Sequence, residues 1–589
     1  MVGKFIGELK RRNVLRAMVL YIGAVWALAQ GISQIGGSVG LPEGATRWFL
    51  IASAIGFPFW VTFSWFFELT SDGIKRESEL GPEARAGQSH RRVDLAIIGV
   101  LAVAVVLLLT DRLMESHTPP RASASAVAAA NSIAVLPFEN DSGDKDQQYF
   151  SDGLSEGFII ALTRIEGLQV INRKSSFLFR DSKQDDAAIA ARLGVANLLE
   201  GSVRRSGDTV RIRASLIRAA DGNTLWADSF DRPYKDLFAL QDQIVGLVAD
   251  ALKARLQPVP ARVRQTDRPP SGNLEAYNAY LQARSETDAE AALKSFDRAI
   301  ELDPGYGLAY AMKARTWIDA VSGGLSGQQA RDAFAEADAA VNQAVRLAPG
   351  QAATHIARGW LLMLRDFDWK NGEAELRKAV ELAPEDGDAL YQLGVARASQ
   401  GDLQQAVELT RKALRHDPLN ANWYRWLVAY LMPLGKLDEA RQALGKAIEL
   451  EPRVIYNHHL LAIIEVLRKD AVAARKAADA EPAGPWQDFA LALAAQIGPD
   501  RAEADRRLRD CIAQHAEGWT FQIAQVYALR GEPDVMFQWL DKAWQARDPG
   551  MQALLYDALL LRYRNDPRYA ALARQVGLPW PAVTPLPAP

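Results

Sequence analysis

Apolar positions are spread unevenly along the 589-residue chain. Val14 to Ile35 carries one charge, Arg16, close enough to the end of the run for its stem to reach an interface. Trp48 to Phe67 carries none, and its Trp and Phe residues suit the two edges of a bilayer. A third run, Leu95 to Leu109, reaches spanning length if Asp94 and Asp111 sit at headgroup level. The pattern predicts a three-helix transmembrane anchor over 14–114, with spans at 14–35, 48–68 and 93–113. Beyond it the pattern changes to short β-rich runs and then to long stretches of helical period.

Basic residues orient this anchor. Lys4, Lys10, Arg11, Arg12 and Arg16 precede or open the first span, and Lys75, Arg76, Arg85, Arg91 and Arg92 lie in the 70–92 loop. Only Arg47, Arg112 and Arg121 flank the opposite ends. The expectation is a bacterial inner-membrane protein with residues 1–13 and loop 70–92 cytoplasmic. Three crossings then place the large carboxy-terminal region in the periplasm. Were the first span only interfacial, two crossings would return that region to the cytoplasm.

Residues 115–131 read as a small-residue tether. SIAVLPF (132–138) reads as a buried strand, Asp152 as the N-cap of a helix through GLSEGFIIALTRI, LQVIN as a strand and DDAAIAARLG as a helix. The stretch from Ala196 to Phe230 predicts antiparallel strands turning at Ser206-Gly207-Asp208 and Asp221-Gly222, before an amphipathic helix. Together these predict an α/β domain over 132–256. SIAVLPF, YFSDGLSEG, TRIEGLQVINRKSSF, ARLGVANLLEGSVRRSGDTVRI and WADSFDRPYKDLFALQDQI resemble the TolB amino-terminal-like, or FlgO-type, domain of bacterial membrane proteins. Gly157 departs from that pattern, which usually has a second acidic residue there. The resemblance implies no catalytic role.

A Pro-rich linker, 257–272, leads into a repeating segment. AALKSFDRAIELDP, DAAVNQAVRLAP, EAELRKAVELAP, AVELTRKALRHDP and ARQALGKAIELEP close at Pro304, Pro349, Pro384, Pro418 and Pro452. Alanine precedes each proline by five residues, at Ala299, Ala344, Ala379, Ala413 and Ala447. The longer first interval assigns an insertion to VSGGLSGQQ. These copies resemble tetratricopeptide repeats, which implies an all-α solenoid of seven to eight units over 273–550 and terminal capping helices over 551–580. The Trp residues of this region are assigned to inter-helix packing. The resemblance also implies a concave groove for protein or peptide partners, lined by Asp388, Tyr391, Asn422, Arg425, Tyr456 and His459.

Composition adds limits. Lys+Arg 68 against Asp+Glu 71 gives a net charge of −3, with no basic excess to draw nucleic acid. One cysteine, Cys511, excludes an intramolecular disulfide and a Cys-rich zinc site. His458 and His459 lack companions at metal-ligand spacing, and no phosphate loop or dinucleotide fingerprint is present. No metal or cofactor is expected. Arg204, Arg205, Arg211, Arg213 and Arg218 read as solvated strand faces more readily than as an anion site. Gly153-Leu154-Ser155-Glu156-Gly157 matches the G-x-S-x-G nucleophile elbow, but a polar loop precedes it and no histidine lies between His117 and His355. The chain therefore reads as a non-enzymatic interaction scaffold or sensor. A transmembrane regulatory subunit with a separate cytoplasmic partner is the alternative, and serine hydrolysis is a remote third. Homo-oligomerisation stays open.

Overall fold

The computed structural model describes residues 130–144, 147–163, 165, 167–252, 266–322 and 327–580, with scattered positions between 18 and 76. It divides into two compact units, 1–124 and 125–589. In the first, Tyr21 and Phe57 lie at helical positions inside the first two apolar runs. The Tyr21 hydroxyl donates to the Ser53 carbonyl at 2.8 Å, and its ring lies 5.6 Å from that of Phe57. A two-stranded hairpin, β1 (Phe67–Thr70) and β2 (Gly73–Arg76), follows. The second apolar helix therefore ends before Phe67, and part of the expected 70–92 loop is strand. The third span, the tether up to residue 129 and most of the first two spans lie outside the described residues. Among the described residues no helix is long and apolar enough to cross a membrane.

The second unit begins with a mixed sheet. Strand β3 (Ser132–Val135) is buried along its length and runs parallel to β5 (Gln169–Val170) and β6 (Asn197–Ser206). The expected strand through Phe138 stops at Val135, just before Leu136 and Pro137, which lacks the N–H a ladder needs. The chain rejoins β6 as β4 (Glu139–Asn140). β6, β7 (Thr209–Arg218) and β8 (Asn223–Pro233) form an antiparallel meander. Its turns contain Gly207 and Gly222 at φ 56° and 66°, a region open to glycine at little cost.

Helices cover both faces. α1 (Gln148–Leu162) and α4 (Leu237–Ala251) cover one face, α3 (Asp186–Leu193) covers the other, and the short α2 (Arg173–Ser176) follows β5. α1 starts five residues earlier than expected, at Gln148 instead of Gly153. Asp152 lies inside it, bonded to Arg180 at 2.6 Å instead of capping, because Phe150 is already needed in the core.

Eight helix pairs follow among the described residues. They are α5 (Leu274–Ser285) with α6 (Ala289–Leu302), α7 (Gly307–Ser322) with α8 (Gly327–Leu347), and α9 (Ala352–Leu364) with α10 (Trp369–Leu382). Next come α11 (Gly387–Ser399) with α12 (Leu403–His416), and α13 (Ala421–Leu431) with α14 (Leu437–Leu450). The last are α15 (Asn457–Leu467) with α16 (Ala471–Ala480), α17 (Pro485–Gln496) with α18 (Arg501–His515), and α19 (Thr520–Arg530) with α20 (Pro533–Gln545). The five phased alanines, Ala299, Ala344, Ala379, Ala413 and Ala447, are each 0 % exposed, as close approach of neighbouring helices requires. The extra residues of the second pair lengthen α7 and α8 to 16 and 21 residues instead of forming one long loop.

Two departures from modularity matter for the site. The core of the α/β domain, including Ile133, Phe158, Ile212 and Ile244, continues without a break into Tyr277, Phe296 and Tyr306 of the first helix pair and its turn. The end of the expected linker joins it: Asp267 is buried, accepts the Tyr277 hydroxyl at 2.7 Å and offers its carbonyl to the Tyr306 hydroxyl. At the far end the expected capping helices are two 3-10 turns, Pro549–Ala553 and Leu560–Tyr563, and one helix, α21 (Pro567–Gln575). This end folds back on the third pair. The Trp369 indole N–H donates to the Val576 carbonyl at 3.0 Å, and Phe367 meets Trp544 edge-on at 5.3 Å.

Candidate functional site

The two glycines of GLSEG show what that motif does. A Cβ on Gly153 would lie 2.2 Å from Leu281 Cδ1, and one on Gly157 would lie 2.8 Å from Gln241 Nε2 and 3.2 Å from the Tyr277 hydroxyl. They are the flat surface of α1 on which α5 rests. Ser155 between them is 0 % exposed; its Oγ accepts the Phe138 N–H at 2.9 Å and donates to the Ser151 carbonyl at 2.9 Å. A nucleophile elbow needs an exposed hydroxyl on a strand-to-helix turn, and this one is mid-helix and buried.

The next residue, Glu156, faces the other way. Its carboxylate pairs with Arg284 of α5 and lies 3.4 Å from Arg173 of α2. Burial opposes the Arg284 charge, but Glu156 and Tyr280 outweigh it and raise the guanidinium above its ordinary value. One repeat along the solenoid, Arg315 of α7 pairs with Asp388 of α11, which also accepts Gln392 Nε2 at 3.0 Å. Burial raises Asp319, which lies beside this pair.

These groups line a cavity of about 2120 Å³. Glu156, Asn172 and Arg173 form its α/β wall, Arg284, Arg315 and Trp360 its repeat wall, and Arg547 and Gln552 its far end. The Arg547 guanidinium lies over Trp544 at 4.1 Å and over Phe367 at 5.0 Å. The walls thus combine paired charges, aromatic faces and amide groups, a composition suited to a polypeptide segment.

The six groove residues divide. Asp388, Tyr391 and Asn422 line the cavity. Tyr391 is 6 % exposed, stacks on Trp423 at 5.3 Å, and has its hydroxyl pKa raised chiefly by burial. Arg425 instead pairs with Glu451 at 2.9 Å. Tyr456, at φ 89°, packs against Trp486 at 4.4 Å, and His459 is 1 % exposed with Nδ1 3.0 Å from the Trp486 carbonyl. Burial lowers His459 to about 4. The chain's own carboxy-terminal segment covers this region: Tyr556 packs on Trp426 and Tyr430, and Asp557 accepts Gln525 Nε2 at 2.5 Å. The accessible wall therefore lies nearer the α/β domain than the repeat pattern alone indicates.

A second contact closes the cavity at the fourth pair. Ser175 Oγ bonds to Asp417 and accepts the Leu419 N–H at 2.9 Å; the Asn172 N–H donates to the His416 carbonyl at 2.7 Å, and Gln169 Nε2 to the Arg415 carbonyl at 2.9 Å. The sequence carries a trace of this contact. His416 stands where the other aligned repeats have Leu302, Leu347, Leu382 and Leu450.

Comparison with known proteins gives two family matches. Residues 129–247 match the second domain of HilA/YgeH-like transcriptional regulators, in place of the TolB-type family expected, and residues 397–464 match the tetratricopeptide repeat. The repeat match falls on α12 to α15, within the all-α solenoid of helix pairs. A putative adenylate cyclase 3 from Rhizobium meliloti (strain 1021) is 36% identical over 208 residues, covering 33% of this chain and 35% of that one. The human mitochondrial import receptor subunit TOM70 is 24% identical over 217 residues, covering 36% and 32%. The chain thus spans about a third of the length of these relatives. Among solved structures, Pseudomonas aeruginosa PilF aligns at 16% identity and TM-score 0.30, covering 38% of this chain and 96% of that one.

Proposed function

We propose that this chain is a non-enzymatic, membrane-anchored protein-interaction sensor whose α/β domain and tetratricopeptide repeats together hold a polypeptide segment in the cavity between them. The observation that carries this reading is the joint lining of one cavity by Glu156 and Arg173 from the sheet domain and Arg315, Trp360 and Asp388 from the repeats. Tetratricopeptide repeats are interaction scaffolds, which supports the partner class. Membrane anchoring rests on the three apolar runs, and the outward exposure of Ile22 (57 %) and Trp26 (38 %) supports it. The basic asymmetry supports a periplasmic location.

A regulatory role through a separate partner is the second reading, favoured by the matches to a transcriptional regulator's second domain and to a putative adenylate cyclase. It uses the same cavity, with occupancy passed on through the anchor. The TolB-type resemblance fits either reading.

Photo-crosslinking tests the proposal. A benzoylphenylalanine at Trp360, in the full-length chain in its native membrane, is expected to capture a discrete polypeptide. The same group at Val472, which is 83 % exposed, is expected not to capture that species. Equal capture at both positions, or undiminished capture at Trp360 in Asp388→Lys, contradicts a cavity site. Alkaline phosphatase and cytoplasmic fluorescent fusions at the carboxy terminus test the location.

A further inference from the structure

We infer that the α/β domain is the lid of this cavity, fixed permanently on the first repeat and held on the fourth by a polar latch that can open. The inference rests on the cavity being the binding site and concerns how access to it is controlled.

The two attachments differ in chemistry. On the first repeat the lid shares an apolar core with Tyr277 (0 % exposed), Phe296 (2 %) and Tyr306 (1 %). Separating that surface would bring large aromatic faces into water. On the fourth repeat the contact consists mainly of hydrogen bonds: Ser175 with Asp417 and Leu419, Asn172 with the His416 carbonyl, and Gln169 with the Arg415 carbonyl. Its apolar part is Leu419, partly buried against the Ile189 and Leu193 side of the sheet. Water can replace every polar partner when this contact opens, so opening exchanges hydrogen bonds instead of losing a core.

The latch also forms part of the cavity wall. Asn172, Lys174 and Asp417 line it. A segment entering the cavity would therefore meet the groups that hold the lid shut, and differential contact with latched and open forms is what shifts such an equilibrium. The repeats support this division. Ala348 and Ala383 precede Pro349 and Pro384, whereas Asp303 and Asp417 precede Pro304 and Pro418. Asp303 accepts the Ser271 hydroxyl at 2.7 Å, just as Asp417 receives Ser175. Both Asp-Pro repeats of this alignment thus hold a serine hydroxyl from outside the solenoid.

The test is the rate at which a bulky maleimide reaches the cavity in the full-length chain in nanodiscs, with no partner added. The reporter is Thr316→Cys, partly buried on the cavity wall; native Cys511 is buried and its thiol is pushed up to about 12, so it stays unlabelled. Ser175→Ala and Asp417→Ala are each expected to speed labelling at least tenfold, with an unchanged circular dichroism spectrum. A disulfide between Ser175→Cys and Asp417→Cys is expected to slow it below the unmodified rate until reductant is added. Equal rates in the released, native and locked forms overturn the latch, even if crosslinking from Trp360 succeeds. Faster labelling on release supports the latch, even if that crosslinking fails.

Discussion

Ser175 in the sheet domain hydrogen-bonds to Asp417 in the fourth repeat, 242 residues further along the chain. Burial raises the Asp417 carboxyl, and bonds from Ser175 and Asn420 and the nearby Lys174 charge offset it in part. Removing the carboxylate leaves Ser175 and the Leu419 turn without their anchor, while the first-repeat core is untouched. Asp417→Ala is predicted to speed hydrogen exchange at the Asn172 and Leu419 amides and to leave the Tyr277 amide, bonded to the Asn273 carbonyl at 3.0 Å, as protected as before. Exchange rising equally at all three sites would show that the two attachments are one.

The Glu156–Arg284 pair is predicted to behave as a buried ion pair. Its side chains are 9 % and 27 % exposed. Glu156→Gln is expected to destabilise by about 2–4 kcal/mol, because Arg284 then keeps a poorly solvated charge. Adding Arg284→Met should recover most of that loss in chemical denaturation. A double variant as unstable as the sum of the singles would contradict the pairing.

Gly153 provides a steric prediction. Because a Cβ there would overlap Leu281, Gly153→Ala should cost about 1–3 kcal/mol despite alanine's better helix propensity. Shortening the obstructing side chain with Leu281→Ala in the same chain should reduce the penalty. Ser155→Ala is expected to cost about 1–3 kcal/mol through the stranded Phe138 N–H and to alter no hydrolytic activity.

His459 sets a pH dependence. Its folded value near 4 lies below the ordinary 6.5, so the unfolded chain takes up the proton first. Its contribution to stability is complete above pH 6.5 and is lost as pH falls towards 4, by about 3 kcal/mol. Denaturation midpoints at pH 7 and pH 4.5 should therefore converge more closely in His459→Phe than in the native chain. His355, raised by its bond to Glu375, contributes in the opposite direction and cancels in this comparison.

Much of the architecture was legible in sequence, for identifiable reasons. The meander follows from glycines at Gly207 and Gly222, and the helix pairs follow from apolar period and from alanine and proline phase. The start of the helix containing Ser155 is not legible because Asp152 has the chemistry of a cap, whereas Phe150 is the residue the core requires. Period identifies an apolar face but not what covers it. Hence neither the burial of Tyr456 and His459 near Tyr556, nor the shared core around Tyr277, could be read from repeat spacing. His416 at a leucine position was the visible trace of the fourth-repeat contact.

The most direct test of the account is the distance between spin labels at Lys183→Cys on the sheet domain and Lys436→Cys on the fifth repeat, measured by pulsed electron resonance in the intact chain. Both positions are exposed. One narrow distance that broadens or lengthens in Asp417→Ala is predicted for a sheet domain seated over the cavity. A broad distribution in the native chain, unchanged by that substitution, would contradict it.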